Sequence, residues 1–330
     1  TTHVAYVISA ISVKGNMQGT PDSADGTTSY SYTGLKETIS VPAAADGSSP
    51  AMDIVLASPS GTQDATMKGL RTKAVGDLVT WLVAHPNKQA IIADQASLKD
   101  KLRAALPLLD NISGTTMMND VTVGTTVGQF VVKQLGVTAE MTGVAAEARL
   151  REAFSVSGLQ VPGELLPPWA ADMIPDKFNI DISVADLNLA APAALILDKL
   201  DLAKPDPLPP EMNAQLLAAL LPKGAFTINL GPTGILAKLY VLTAEGSMTA
   251  GPIAMPAGQA TVKMKGLDET MAALQAGPPD LQQMAPMFLL VKGLGKQDPD
   301  GALSWKIEST PAGTVTVNGA DISKMLGAQQ

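Results

Sequence analysis

The sequence predicts an α+β protein built on a large curved, mainly antiparallel β-sheet with helices packed on one face. Three observations lead there. Several segments alternate apolar and polar residues with a period of two, which turns one strand face toward a core and the other toward water. These segments come in adjacent runs rather than in strict rotation with helices, which argues against a doubly wound nucleotide-binding sheet. Between the runs lie stretches whose apolar residues recur every three and four positions, bounded by proline and glycine.

The elements follow in chain order. Ser29–Val41, rich in Thr, Ser and Tyr, and Met52–Leu56 read as strands. Val75, Leu78, Val79 and Leu82 mark a helix that stops before His85-Pro86, and Ser97 is placed to cap a second one carrying Leu98, Leu102, Ala105 and Leu109. Residues 114–161 are Thr/Val-rich and nearly free of proline, enough for two to four long strands, although 139–153 is equally good helix by composition. Phe178, Ile180, Ile182 and Val184 alternate with Asn179, Asp181 and Ser183; Phe226–Leu230, Thr261–Lys265, Leu303–Ile307 and Val315–Val317 repeat the pattern. Pro192–Leu202 and Pro210–Leu221 open with proline in the first helical turn, where its missing N–H costs little. Asp268–Ala276 and Pro279–Lys292 complete the helices, with Pro286 expected to interrupt the last. Loops are expected at 21–26, 45–50, 162–168, 205–210, 251–258 and 298–301. The stiff run at 205–210 suggests an N-terminal β-rich half, residues 1–204 with a helical insertion at about 74–110, and a C-terminal α+β half, 205–330; one continuous domain is the alternative.

Composition narrows the function classes. Of 330 residues, 46% are hydrophobic and 16% charged, against roughly 25% charged in ordinary soluble domains, so the chain is equipped to fill a core. Aromatics supply only 4%; Ala, Leu, Val and 15 Met carry the apolar load, and Met fills irregular cores or lines adaptable greasy surfaces. A net charge of −8 without any basic run disfavours nucleic acid and anionic headgroups. With no cysteine, disulfides, thiolate catalysis and Cys-ligated zinc are excluded, and the composition suits an exported bacterial protein. The longest apolar runs, Leu216–Leu221 and Met287–Val291, are far short of the ~18 residues that a spanning helix needs. The chain opens on Thr1-Thr2-His3, and a removed signal peptide is one explanation.

Few residues are candidates for chemistry. The two histidines are His3, near the start, and His85, at a helix end where imidazole commonly meets the last carbonyls. No Gly-x-Ser-x-Gly elbow accompanies them, no Ser-x-x-Lys dyad is present, and no phosphate-binding glycine loop occurs. Asp22–Gly26 and Asp298–Gly301 carry paired acids, but neither continues to the Glu that closes a calcium loop, so turn chemistry is the reading. The remaining unusual feature is Met-rich helical material near the C-terminus. Met264, Met271, Met284, Met287, Phe288 and Leu290 are the candidate ligand-lining residues; the alternative for them is a helix buried on two sides.

The run Gly246–Pro252, then Gly266-Leu267-Asp268, Met284-Ala285-Pro286 and Pro311–Gly319 resembles the uncharacterised domain family number 2125 of alphaproteobacterial exported proteins. The closing strand with Val317-Asn318-Gly319 is distantly similar to YdgA-like envelope proteins. The resemblance covers roughly residues 150–330 and implies periplasmic export and a large β-rich fold; it carries no catalytic residue. The expectation is therefore a non-enzymatic periplasmic protein, with no metal or other cofactor, that binds or carries a lipid or similar apolar molecule. The alternative is a structural or interaction protein of the envelope whose partner is another envelope protein.

Overall fold

The computed structural model describes residues 2–44, 50–209, 211–252, 255–283 and 285–323. Its described strands form one open, antiparallel sheet. In chain order the elements are β1 (His3–Val7), β2 (Ala10–Thr20), β3 (Ser23–Val41), β4 (Met52–Leu70), α1 (Thr72–Ala84), α2 (Lys88–Ala93), α3 (Gln95–Ala105), β5 (Asn111–Thr125), β6 (Gly128–Thr142) and β7 (Ala148–Gln160). There follow β8 (Pro175–Leu187), α4 (Ala190–Lys199), α5 (Met212–Leu220), β9 (Phe226–Ala237), β10 (Val241–Ala250) and β11 (Ala257–Lys265). Last come α6 (Leu267–Gln275), α7 (Pro279–Gln282), α8 (Ala285–Leu294), β12 (Lys296–Gln297), β13 (Leu303–Ser309), β14 (Val315–Val317) and β15 (Ala320–Asp321).

The topology is a meander. From β3 to β11 every strand lies beside its sequence neighbour, and β13, β14 and β15 extend the same sheet. β1 and β2 lie end to end along the outer side of β3, and β12 pairs with β13. The sheet crosses residue 205 without a break, because β8 pairs with β9. Strands of 19 residues in β3 and β4 extend about 60 Å at ~3.3 Å per residue.

A transverse crease crosses five of these strands. Gly34, Pro59, Asp120, Lys133 and Gly158 occupy one row of the β3–β7 register. Gly34, Asp120 and Gly158 there adopt φ of 66°, 46° and 64°. Glycine enters this left-handed region without a Cβ clash, and Asp is among the few other residues that tolerate it. The row sets two consecutive residues of each strand on one face, so the inward set shifts by one. Tyr32 and Ser58 are the proof: the register separates them by an odd step, yet their hydroxyls are hydrogen-bonded at 2.9 Å in a buried position. Without the crease, the apolar residues of β3–β7 beyond it would turn to the polar face.

The helices gather at two places. α1–α5 connect strand ends on one side of the sheet, where Arg103 of α3 donates to Asp198 of α4 at 2.8 Å and the Gln95 side chain accepts from Leu202 N–H at 2.9 Å. α6 and α8 pack on β11, β13 and β14 around buried Leu267, Trp305 and Val317.

Several local expectations need correction. Asp94, not Ser97, precedes α3, and Ser97 lies in its first turn. Residues 139–153 are strand, split by a short break between β6 and β7. The break expected at Pro286 comes earlier, between α7 and α8, and Pro286 sits at the second position of α8, where no N–H is missed. Asp25 and Gly26 belong to β3 rather than to a loop. Residues 45–49, Pro210, residues 253–254 and Met284 lie outside the described residues.

Candidate functional site

Pairing registers show which residues share a face, because directly opposed residues of an antiparallel sheet point the same way. One row reads Ile11, Tyr32, Gly61, Met118, Leu135, Val156, Phe178, Ile235, Leu242, Met264 and Leu303, from β2 to β13. Every member is apolar, a tyrosine or a glycine. Gly61 is small for a reason: a Cβ there would overlap the Tyr32 ring. Six positions along the strands a second row reads Met17, Gly26, Met67, Ile112, Met141, Leu150, Val184, Ile228, Met248 and Gly258. At ~4.8 Å per strand the first row runs about 48 Å across the sheet.

The opposite face is built in the same manner from polar residues and glycine, with Met117 as an exception. The row beside the first reads Ser12, Ser31, Thr62, Met117, Gly136, Ser155, Asn179, Gly234, Thr243, Lys263 and Ser304. Ion pairs punctuate this face. The Arg151 guanidinium forks onto Asp181 at 3.0 and 2.8 Å, and Lys263 meets Asp298 at 2.8 Å. Hydrogen bonding from Arg151, then its charge, holds the Asp181 carboxyl below the usual range, and Lys263 with Ser304 does the same for Asp298. Shallow dips of about 200 and 250 Å³ lie beside Gly136 and Gly234, where glycine leaves room.

Among the described residues the apolar face is not closed over. Only at β11–β14 do α6 and α8 cover it, with Val262, Met264, Met271, Phe288, Leu294 and Leu303 packed around Trp305, whose indole N–H donates to Val291 O at 2.7 Å. Elsewhere the face stays part-exposed: Met141 retains 42% of its surface, Leu150 39%, and Ile11 at the edge 55%. A depression of about 520 Å³ opens between Met17, Tyr30, Met67 and Ile112, floored by Gly15, Gly26 and Ala65. That is within the range of small-molecule sites.

The residues singled out from the sequence divide. Met264, Met271 and Phe288 join the packed plug beneath α6 and α8, while Met287 and Leu290 are exposed on the outer side of α8; Met284 lies outside the described residues. The open apolar face is made by residues that sequence reading passed over, chiefly in β2, β4, β5 and β6. Alternation at Leu135, Val137, Ala139 and Met141 was the available signal. The chemical candidates resolve into structural parts. His85 Nδ1 donates to Trp81 O at 2.7 Å and its ring stacks on the Trp81 indole at 3.8 Å. Asp298 and Asp300 take part in a turn and in pairs with Lys263 and Lys265. Among the described residues no three His, Asp or Glu converge where a metal would sit, and no helix is long and apolar enough to cross a membrane. No family model, no curated protein and no solved structure matches the chain.

Proposed function

We propose that this protein binds or carries a lipid or other elongated apolar molecule on the open apolar face of its sheet, as a non-enzymatic protein of the bacterial periplasm. One observation carries the reading: apolar rows continue strand after strand across the sheet while their side chains remain part-exposed. Monomeric soluble proteins rarely leave contiguous apolar patches beyond a few hundred Å² uncovered, and larger ones mark ligand or partner sites. In this reading the sheet curves into a trough with helices on one face, and the α6–α8 plug closes one end.

Solvent extraction and native mass spectrometry of the purified protein test the proposal. The expected result is a co-purifying lipid, or saturable uptake of a fluorescent acyl chain by stripped protein. Leu135→Asp, which sets a carboxylate in mid-row, should weaken uptake at least ten-fold while leaving the β circular dichroism intact. An unliganded protein that takes up no acyl chain at any concentration would remove the reading.

A further inference from the structure

The two edges of the sheet are unlike. At one edge β14 and β15 taper to three and two residues, too short to template a long partner strand. At the other, β2 pairs with β3 along eleven residues, and among the described residues no strand lies on its outer side. β2 contains no proline, and Lys14 is its one charge, so a single lysine is its only such guard against edge pairing. Its apolar side chains, with a neighbour on one side only, are more exposed than those of the inner rows: Val13 retains 62% of its surface and Met17 54%.

We propose that β2 pairs antiparallel with β2 of a second copy about a two-fold axis through Gly15, joining two sheets into one with a continuous apolar face. The strand is self-complementary in that register. Ile11 opposes Gly19, Ser12 opposes Gln18, Val13 opposes Met17 and Lys14 opposes Asn16, so apolar residues meet on one face and polar residues on the other. An axis between residues would join the apolar face to the polar one. An axis on Lys14 would oppose two lysines. The axis on Gly15 alone engages all eleven residues. A two-fold pairing uses the same edge of both copies and leaves neither free for a third, so the assembly closes as a dimer.

The test uses the whole chain, stripped of lipid, so that failure of the ligand reading leaves it unaffected. Sedimentation equilibrium should show a dimer. Val13→Glu and Met17→Lys, both at exposed positions, should each weaken dimerisation at least ten-fold. An equimolar mixture of the two variants should restore it, because the carboxylate introduced in one copy then faces the ammonium introduced in the other. Opposed Cα atoms in such ladders lie ~4.5–5.5 Å apart, within disulfide reach. The chain has no cysteine of its own, and a Cβ at Gly15 meets nothing closer than Thr27 O at 3.6 Å. Gly15→Cys should therefore cross-link on oxidation, and Ser12→Cys, distant from its own copy, should not. A monomer at all concentrations, a dimer untouched by both charge variants, or equal cross-linking at the two cysteines would overturn the proposal.

Discussion

Arg151 and Asp181 show what a single pair contributes on the polar face. Their side chains are about one-third and one-fifth exposed, and Asp181 takes both guanidinium bonds. A charge-assisted fork of this kind is worth about 1–2 kcal/mol after allowance for solvent screening. The Asp181 carboxyl is held below its ordinary value near 3.8, so the stabilisation is present above that value and is lost as pH falls through the folded-state value. Arg151→Ala should therefore lower urea stability by about 1–2 kcal/mol at neutral pH, and the gap to the parent should shrink in acid. A gap that is the same at both pH values would assign the effect to packing of the arginine stem. At this scale His85 was legible, since a histidine closing a helix before proline has few partners besides the last carbonyls. The Tyr32–Ser58 bond was not, because two small polar groups 26 residues apart carry no sequence signal.

The crease belongs to the scale of elements. Strand existence was largely readable from alternation, but strand length was not. Met52–Leu56 is only the start of β4, whose continuation through Ser58, Pro59, Ser60 and Gly61 resembles a loop in composition. The crease is why: it breaks the period of two within the strand, so no window centred there alternates. β2 was hidden similarly by Gly15, Asn16 and Gly19. If the left-handed row sets the shift in facing, its two glycines and its aspartate should respond oppositely to substitution. Gly34→Ala adds a Cβ that overlaps Ser9 Oγ at a positive φ, and should cost about 1–3 kcal/mol. Gly158→Ala sets its Cβ against Lys133 Cβ and Cγ, which are held beside the backbone, at a similar positive φ, and should cost about as much. Asp120→Gly relieves the backbone and gives up only an exposed ion pair with Lys133, so stability should hold or rise slightly. Chemical denaturation of the three variants checks the order. A negligible cost at residue 34 or 158, or a marked loss at 120, would show that the row is not what turns the faces.

Taken whole, the molecule exposes far more surface than its mass warrants. Its accessible area is 19521 Å² at 34.0 kDa, whereas a compact monomer of that mass exposes about 13,000 Å². The excess follows from the architecture: one sheet, two faces, and helices that cover the apolar side mainly at β11–β14. The sequence carried the raw material for this, in few charges and many Ala, Leu, Val and Met, but composition does not say whether apolar residues fill a closed core or pave an open face. Only the meander does, because among the described residues it sets every apolar row side by side without a second sheet to cover them. A fold that leaves such a face open gains stability from whatever occupies it. A ligand that binds only the folded state at a hundred-fold excess over its dissociation constant adds about 2.7 kcal/mol, or a rise in melting temperature of about 4 °C for a chain of this size. Stripped protein should accordingly bind an apolar fluorescent dye strongly, and melting curves should shift upward with added acyl ligand as the dye is displaced. Dye binding and thermal shift must move together if the face is the site. A ligand that raises the melting temperature while leaving the dye in place would locate binding elsewhere, and a protein that binds no dye would mean the face is already covered by contact with another chain.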